Sequence, residues 1–332
     1  MPTESLYTLY PEISPYHEVW IERPHGHKIY VELSGNPHGK PIIFLHGGPG
    51  GGTNPKQRQF FDPKHYQIIL FDQRGCGQSK PLGETTANTT AELISDMEAI
   101  REYLKINHWI IFGGSWGSAL ALAYATQYAH AVKALILRGI FLSRKTELDW
   151  FLNEVKSFFP EAHRTLLDFL EESKRNDLIK SYTELVFSND LKISGPASIA
   201  WNRFEGSLLK LLPQLEENKP LTDDDIQNEI ARARVQLHYI KDECFIDGKK
   251  ILEEVKKLKE VPTTIIQGRY DMVCPPITAY ELHQHMPHAN FIMVPDAGHS
   301  ASEPSMTSEL IKATNHYRRS EEHTSELQSP YV

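Results

Sequence analysis

"FGGSWGSALALAYA", residues 112–125, sets a serine among glycines after an apolar run and before a series of small apolar residues. Within it, Gly113-Gly114-Ser115-Trp116-Gly117 fits the pattern G-x-S-x-G. The pattern has a steric cause. Where a strand turns sharply into a helix, the serine holds a strained backbone, and bulky side chains two positions away on either side would collide. Five residues are a weak signal by themselves, so the flanking sequence decides. "WIIFG" (109–113) reads as a buried strand, and "GSALALAYATQYAHA" reads as a helix whose small residues allow close packing on a sheet. Ser115 therefore stands at a strand-to-helix turn, which is where a nucleophile elbow belongs.

Further short apolar, β-rich runs lie on both sides of this one. They are "HEVWIE", "KIYVEL", "PIIFLH" (41–46), "QIILFD" (67–72), "KALILRG" (133–139), "TTIIQG" (263–268) and "FIMVP" (291–295). The later runs are continuously apolar, as parallel strands buried on both faces require. A helical pattern, "TAELISDMEAIREYLKI", leads into the strand before Ser115. Strand–helix alternation of this kind predicts an α/β fold with a mostly parallel sheet and helices on both faces. The alternation breaks over residues 143–258, where charged and aromatic helix-like segments such as "ELDWFLNEVKSFFPEAHRTLLDFLEES" and "ASIAWNRFEG" follow one another. We read this stretch as a helical cap inserted between two parts of the core, residues 1–142 and 259–318. The tail 319–332, with "RSEEHTSELQS", is polar and aperiodic and resembles the translation of a sequencing-adapter oligonucleotide; it is expected to be non-native or disordered.

Bulk properties narrow the function classes. The chain has 332 residues, 40% hydrophobic and 23% charged, with a formal charge of −8. No basic stripe is present, so nucleic acid is not expected as a partner. No apolar run is long enough to span a membrane, and the N-terminus does not read as a signal peptide. The cysteines, Cys76, Cys244 and Cys274, are three in number and lack metal-ligand spacing, which points to a reducing, cytoplasmic setting without a disulfide framework or a bound metal.

A serine hydroxyl needs a base to take its proton, and the base needs an acid to orient it. "QGRYDMVCP" puts Asp271 just past one strand, and "VPDAGHSASEP" puts His299 just past the next. Both then lie at the carboxyl edge of the sheet, beside Ser115, in the chain order Ser…Asp…His that α/β-hydrolases use. "LHGGPGGG" (45–52) follows another strand, and its glycines let backbone N–H groups approach a substrate oxygen. The expected oxyanion donors are the N–H groups of Gly48 and of Trp116, the residue after the nucleophile. A phosphate-binding loop is excluded because neither "GKS" nor "GKT" nor G-x-G-x-x-G occurs. No cofactor is called for. These residues leave open an acyl-transfer enzyme of several kinds, including an amidase or esterase, or a catalytically silent binding protein on the same scaffold.

The stretches "HGGPGGG", "FDQRGCGQS", "GGSWGSALALAYA", "LILRGIF", "ELDWF", "GRYDMVCP" and "GHS" together resemble the proline iminopeptidases of the α/β-hydrolase superfamily. The resemblance covers about residues 40–300. It implies a metal-free serine aminopeptidase acting on peptides with a free N-terminal proline. It further implies that Glu205, in "WNRFEG", reads the substrate amine, that Arg138 supports that acidic site, and that Phe141 and Phe151 wall the proline pocket. Two positions depart from the pattern: Gln236 stands where the family has a second glutamate, and Ile240 where it has an aromatic wall. Glutamine keeps a carbonyl acceptor but loses the charge, so a weaker hold on the amine is expected.

Overall fold

The computed structural model of the chain describes residues 5–212 and 220–319. Eight strands form one sheet: β1 (His17–Glu22), β2 (Lys28–Gly35), β3 (Lys40–Leu45), β4 (Tyr66–Phe71), β5 (Trp109–Gly114), β6 (Val132–Arg138), β7 (Thr263–Gly268) and β8 (Asn290–Val294). Their order is β1-β2-β4-β3-β5-β6-β7-β8. β1 pairs antiparallel with β2, and β2 antiparallel with β4. Every pairing from β4 onward is parallel. All eight apolar runs of the sequence thus become strands. The chain folds as an α/β hydrolase with a mostly parallel sheet.

The continuously apolar strands are explained by two cores, one on each face. Alternate residues divide between them, as the two-residue repeat of a strand requires. Ile43, Leu45, Ile69, Phe71, Ile111, Leu135 and Leu137 enter one core. Ile42, Phe44, Ile68, Leu70, Ile110, Phe112 and Ile136 enter the other. The first core is covered by α1 (Thr90–Tyr103) and α2 (Trp116–Gln127). α2 is apolar all round and buried from Trp116 to Thr126, the mark of a helix enclosed in a large core.

Between β6 and β7 lie α3 (Lys145–Leu152), α4 (Pro160–Asp168), α5 (Leu178–Val186), α6 (Leu191–Leu208), α7 (Asp223–Lys241) and α8 (Gly248–Glu254). The first five share a third apolar core, with Phe151, Leu166, Tyr182, Trp201, Phe204, Leu237 and Ile240. The segment expected to insert over 143–258 is therefore not uniform. Ile251, Leu252, Val255 and Leu258 pack in the core that holds α2, because α8 returns the chain to the sheet before β7 begins. α7 divides between the layers, with Ala233, Leu237 and Ile240 in the third core and Val235 and Tyr239 in the first. α9 (Pro276–His285) follows β7 and packs on the first core, and α10 (Pro304–Arg319) closes the second core. Of the tail expected from 319 on, residues 320–332 lie outside the described residues. Among the described residues no helix is long and apolar enough to cross a membrane.

The glycines of the 112–125 stretch answer to three different neighbours. A Cβ on Gly117 would land on the Leu45 carbonyl at the end of β3, and one on Gly113 on the Gly117 carbonyl. A Cβ on Gly114 would strike the Arg138 guanidinium. Gly206, by contrast, sits exposed in α6 with nothing within 4 Å of where its Cβ would be. Gly117→Ala is expected to destabilise the fold by about 3 kcal/mol, since the obstacle is backbone and cannot swing away. Gly206→Ala is expected to stabilise it by about 0.5–1 kcal/mol through helix propensity. Urea denaturation midpoints of the two variants, shifted in opposite directions, would check both.

Candidate active site

Ser115 joins β5 to α2 with φ 57° and ψ −127°. This conformation is held from both sides. Its N–H donates to the Arg138 carbonyl at 2.9 Å, and its own carbonyl accepts from Ser118 N at 2.8 Å and Ser118 Oγ at 2.7 Å. The N–H of Trp116 opens α2, where the first amides of a helix have no intrahelical acceptor and the helix dipole is positive. Trp116 itself is fully buried, and its indole N–H donates to Gln73 Oε1 at 2.8 Å. Gln73 in turn donates from Nε2 to the His46 carbonyl at 3.0 Å. The residue after the serine and the glycine-rich loop after β3 are thereby fixed against each other. In that loop Gly47 packs on Ser115: its Cβ, if present, would be 3.4 Å from the serine Cβ and 3.9 Å from Oγ.

Asp271 and His299 come from the turns after β7 and β8 and are both buried. Asp271 Oδ1 accepts from the backbone N–H groups of Val273 at 3.0 Å and Cys274 at 2.8 Å. Its Oδ2 accepts from Gln267 Nε2 at 3.2 Å. His299 Nδ1 lies 2.8 Å from Oδ2 and 2.9 Å from Oδ1. A carboxylate can only accept, so Nδ1 carries the proton and Nε2 keeps its lone pair. Gly139 makes this arrangement possible: it has φ +57°, and a Cβ there would sit 3.1 Å from His299 Cε1 and 3.2 Å from Asp271 Oδ2. Gln267 was not singled out by sequence. It occupies the inward end of β7 and also accepts from Ile140 N at 3.1 Å, so it bridges the acid to the strand beside Ser115.

Arg138 differs from its expected role. It does not reach Glu205. Its Nη1 donates to the His299 carbonyl at 2.7 Å and stands 3.2 Å from His299 Nε2. The guanidinium lies in the space left by the missing side chain of Gly114 and is half-buried. Burial pushes its pKa down, opposed by Asp271. Ser115 meanwhile rests against the Cys274 thiol, which burial keeps well above the ordinary cysteine range and therefore protonated. In this state Nε2 faces Arg138 rather than the serine hydroxyl.

A narrow cavity of about 30 Å³ opens over Ser115. Gly48 borders it on the core side, Phe141, Phe151 and Ile240 supply apolar walls, and Glu205 and Gln236 supply the polar end. Of the eight positions expected to take part in recognition or to form the oxyanion hole, six border this one space, and Trp116 and Arg138 do not. Glu205 is buried, and the cation that meets it is Arg232, whose Nη2 is 2.7 Å from Glu205 Oε2. Arg232 was missed because nothing in "ARARVQLHYI" marks which of its two arginines turns inward. The helical repeat offers the signal: Arg232 precedes Gln236 by one turn on α7. A larger groove of about 620 Å³ between α4 and α6 includes none of Ser115, Glu205 or Gln236 and has no chemistry-bearing cluster of its own.

Residues 40–304 match the model of the family described as "alpha/beta hydrolase fold". The chain is 43% identical to a probable proline iminopeptidase of Leptolyngbya boryana, over 93% of this chain and 96% of that protein. It is 44% identical to a proline iminopeptidase of Arabidopsis thaliana, over 92% of this chain and 81% of that one, and 41% identical to one of Xanthomonas citri, over 93% and 98%. Among solved structures, a hydrolase from Pseudomonas aeruginosa PA01 superimposes with a TM-score of 0.61 at 14% identity, covering 90% of this chain and 98% of that one. An alpha/beta fold family hydrolase from Bacillus anthracis str. Sterne does so with a TM-score of 0.57 at 20% identity, covering 92% and 99%. Those two share the fold; the relatives above share sequence along almost their whole length, and the chain belongs to the proline iminopeptidase family of the α/β hydrolases.

Proposed function

We propose that this protein is a serine aminopeptidase that releases N-terminal proline from peptides through an acyl-enzyme. The observation that carries the reading is the convergence on one cavity of Ser115, at a strained elbow, with a carboxylate in a helical layer above it. Membership of a family whose curated relatives bear the name proline iminopeptidase supports it.

In this mechanism Ser115 Oγ attacks the prolyl carbonyl carbon while His299 Nε2 takes the hydroxyl proton. Asp271 keeps the imidazole in the Nδ1–H tautomer and stabilises the imidazolium that forms. The carbonyl oxygen becomes an oxyanion and is met by the N–H groups of Gly48 and Trp116; the latter lies at the positive end of α2. His299 returns the proton to the leaving amine, and the C–N bond breaks. A water, activated by the same base, then cleaves the prolyl ester of Ser115. For Nε2 to act, the imidazole must turn its lone pair from Arg138 to Ser115, a tightening that substrate binding commonly brings. Phe141, Phe151 and Ile240 would hold the pyrrolidine ring, and Glu205 would accept an N–H of the substrate's terminal nitrogen. The layer formed by α3 to α7 would act as the cap that limits substrates to a free terminus. Three cysteines, all buried and unbridged, are consistent with a cytoplasmic site of action.

Ser115→Ala is expected to fold normally, since alanine is smaller than serine in the same turn, and to lose at least about 10⁴-fold in turnover together with all labelling by a fluorophosphonate. His299→Ala should lose a comparable amount. Intact turnover in either variant would remove the triad assignment. Glu205→Gln is expected to lower kcat/KM for free Pro-arylamide by about tenfold or more, the worth of a charge-assisted hydrogen bond. It should leave p-nitrophenyl acetate hydrolysis nearly as it was. Equal losses on both substrates would show that Glu205 serves the fold and not the terminal nitrogen.

A further inference from the structure

The polar end of the cavity has an unusual charge balance. Glu205 is the one carboxylate among the described residues that border it. Its Oε2 is taken by Arg232, so the pair is formally neutral. Gln236, also bordering the cavity, is oriented by Trp201, whose indole N–H donates to Gln236 Oε1 at 2.6 Å. An indole nitrogen can only donate, so the amide cannot be the other way round. One lone pair of its carbonyl is thereby engaged by Trp201. What Gln236 turns toward the site is its amide N–H, 3.4 Å from the Gly48 carbonyl. At its polar end the cavity is thus bordered by a carboxylate, Glu205, that can accept and an amide, Gln236 Nε2, that can donate.

Other ionisable groups stand near this pair. On α7, Glu229 is half-exposed, accepts from Asn202 Nδ2 at 2.6 Å, and draws on Arg232 from one turn before it. From α3, the apolar Leu148 and Phe151 face the cavity. On the core side, Asp271 is engaged by His299, with the Arg138 cation beside that pair, and the Cys274 thiol is protonated.

A secondary amine at a peptide N-terminus has two forms. Neutral, it carries one N–H and one lone pair. Protonated, it carries two N–H groups, no lone pair and a positive charge. We propose that Arg232 is a specificity-determining residue that makes this site select the neutral form of the N-terminal secondary amine, with its N–H donated to Glu205 and its lone pair accepting from Gln236. The protonated form would set donor against donor at Gln236 and bring a second cation to a carboxylate that Arg232 already meets. This inference rests on the prolyl aminopeptidase reading above.

The test is the pH dependence of kcat/KM for Pro-arylamide between pH 5.5 and 9, divided by that for p-nitrophenyl acetate. The ester has no amine, so its profile reports the enzyme's own groups, and the ratio isolates the substrate nitrogen. A terminal amine titrates near pH 8, at about 7.7–8.0 in ordinary peptides. In the parent enzyme the ratio should rise about tenfold per pH unit below that range, following the free-base fraction. In Arg232→Gln the rise should flatten, with KM for Pro-arylamide at pH 6 several-fold lower. Arg232→Lys, which keeps the charge, should retain the parent slope. Gln236→Glu reaches the same end independently: Trp201 would hold one carboxylate oxygen, the other would face the cavity, and the slope should flatten even if Arg232→Gln fails to fold. A flat ratio in the parent, or an undiminished slope in folded Arg232→Gln or Gln236→Glu, overturns the proposal. Ester turnover without any Pro-arylamide turnover in the parent overturns the aminopeptidase reading and this proposal with it.

Discussion

Ser115 holds a backbone conformation that costs an L-residue about 1–3 kcal/mol, and much of the surrounding architecture exists to impose it. The strain is locked by close approach. β3 runs so near the start of α2 that the Leu45 carbonyl occupies the place of a Gly117 side chain, and the Gly117 carbonyl occupies that of Gly113. With backbone on both sides, the turn has no slack. The serine hydroxyl is thus presented at the sheet edge by packing, before any substrate contributes. The same closeness fixes Trp116 and, through Gln73, the loop that carries Gly48. Ser115 and the proposed oxyanion donors are consequently held in one tightly packed unit, which is the condition for electrostatic stabilisation without reorganisation.

His299, the proposed base, is tied to a different part of the structure. His299 N and Ser300 N both donate to the Leu209 carbonyl, at 3.1 and 2.8 Å, just past the end of α6. Glu303 adds a second tie, accepting from Leu211 N at 2.7 Å through Oε1 and from Gly298 N at 2.7 Å through Oε2. α6 also carries Glu205. A single helix therefore connects the group proposed to read the substrate's nitrogen with the loop that positions the imidazole. Any displacement of α6 on substrate entry would be felt at His299, whose Nε2 now faces Arg138.

The sequence was most legible where backbone geometry dictates residue type. The eight strands could be read because burial on both faces demands continuous apolar runs, and the elbow because close approach demands glycine at Gly113 and Gly117. Strand ends and chain order singled out Ser115, Asp271 and His299, and in the structure Asp271 and His299 are hydrogen-bonded to each other. The helical insertion was visible as a break in strand rhythm, yet its end was not: α8 has the same polar–apolar mixture as the helices before it, and only packing shows that Ile251 and Leu252 belong beneath the sheet. Least legible were the pairings. Arg138 and Arg232 are equally plausible partners for Glu205 by composition. The choice is made by where Gly114 leaves room for a guanidinium and by which face of α7 turns toward α6.

That difference has a physical basis. Glycines and apolar runs are excluded-volume requirements, local in sequence and intolerant of exchange, so they leave a pattern. A charge in a buried pocket is instead set by a sum over neighbours from separate elements, and one residue alters the sum without altering the fold. Glu205 alone would be an anion; Glu205 with Arg232 is a neutral pair; Gln236 is an acceptor or a donor according to what Trp201 demands of it. The elbow and the turns around it are thus constrained by shape and can be carried through a family intact. The polar end of the cavity is constrained by charge balance and hydrogen-bond direction, and it can shift between close relatives while every strand and turn stays where it was.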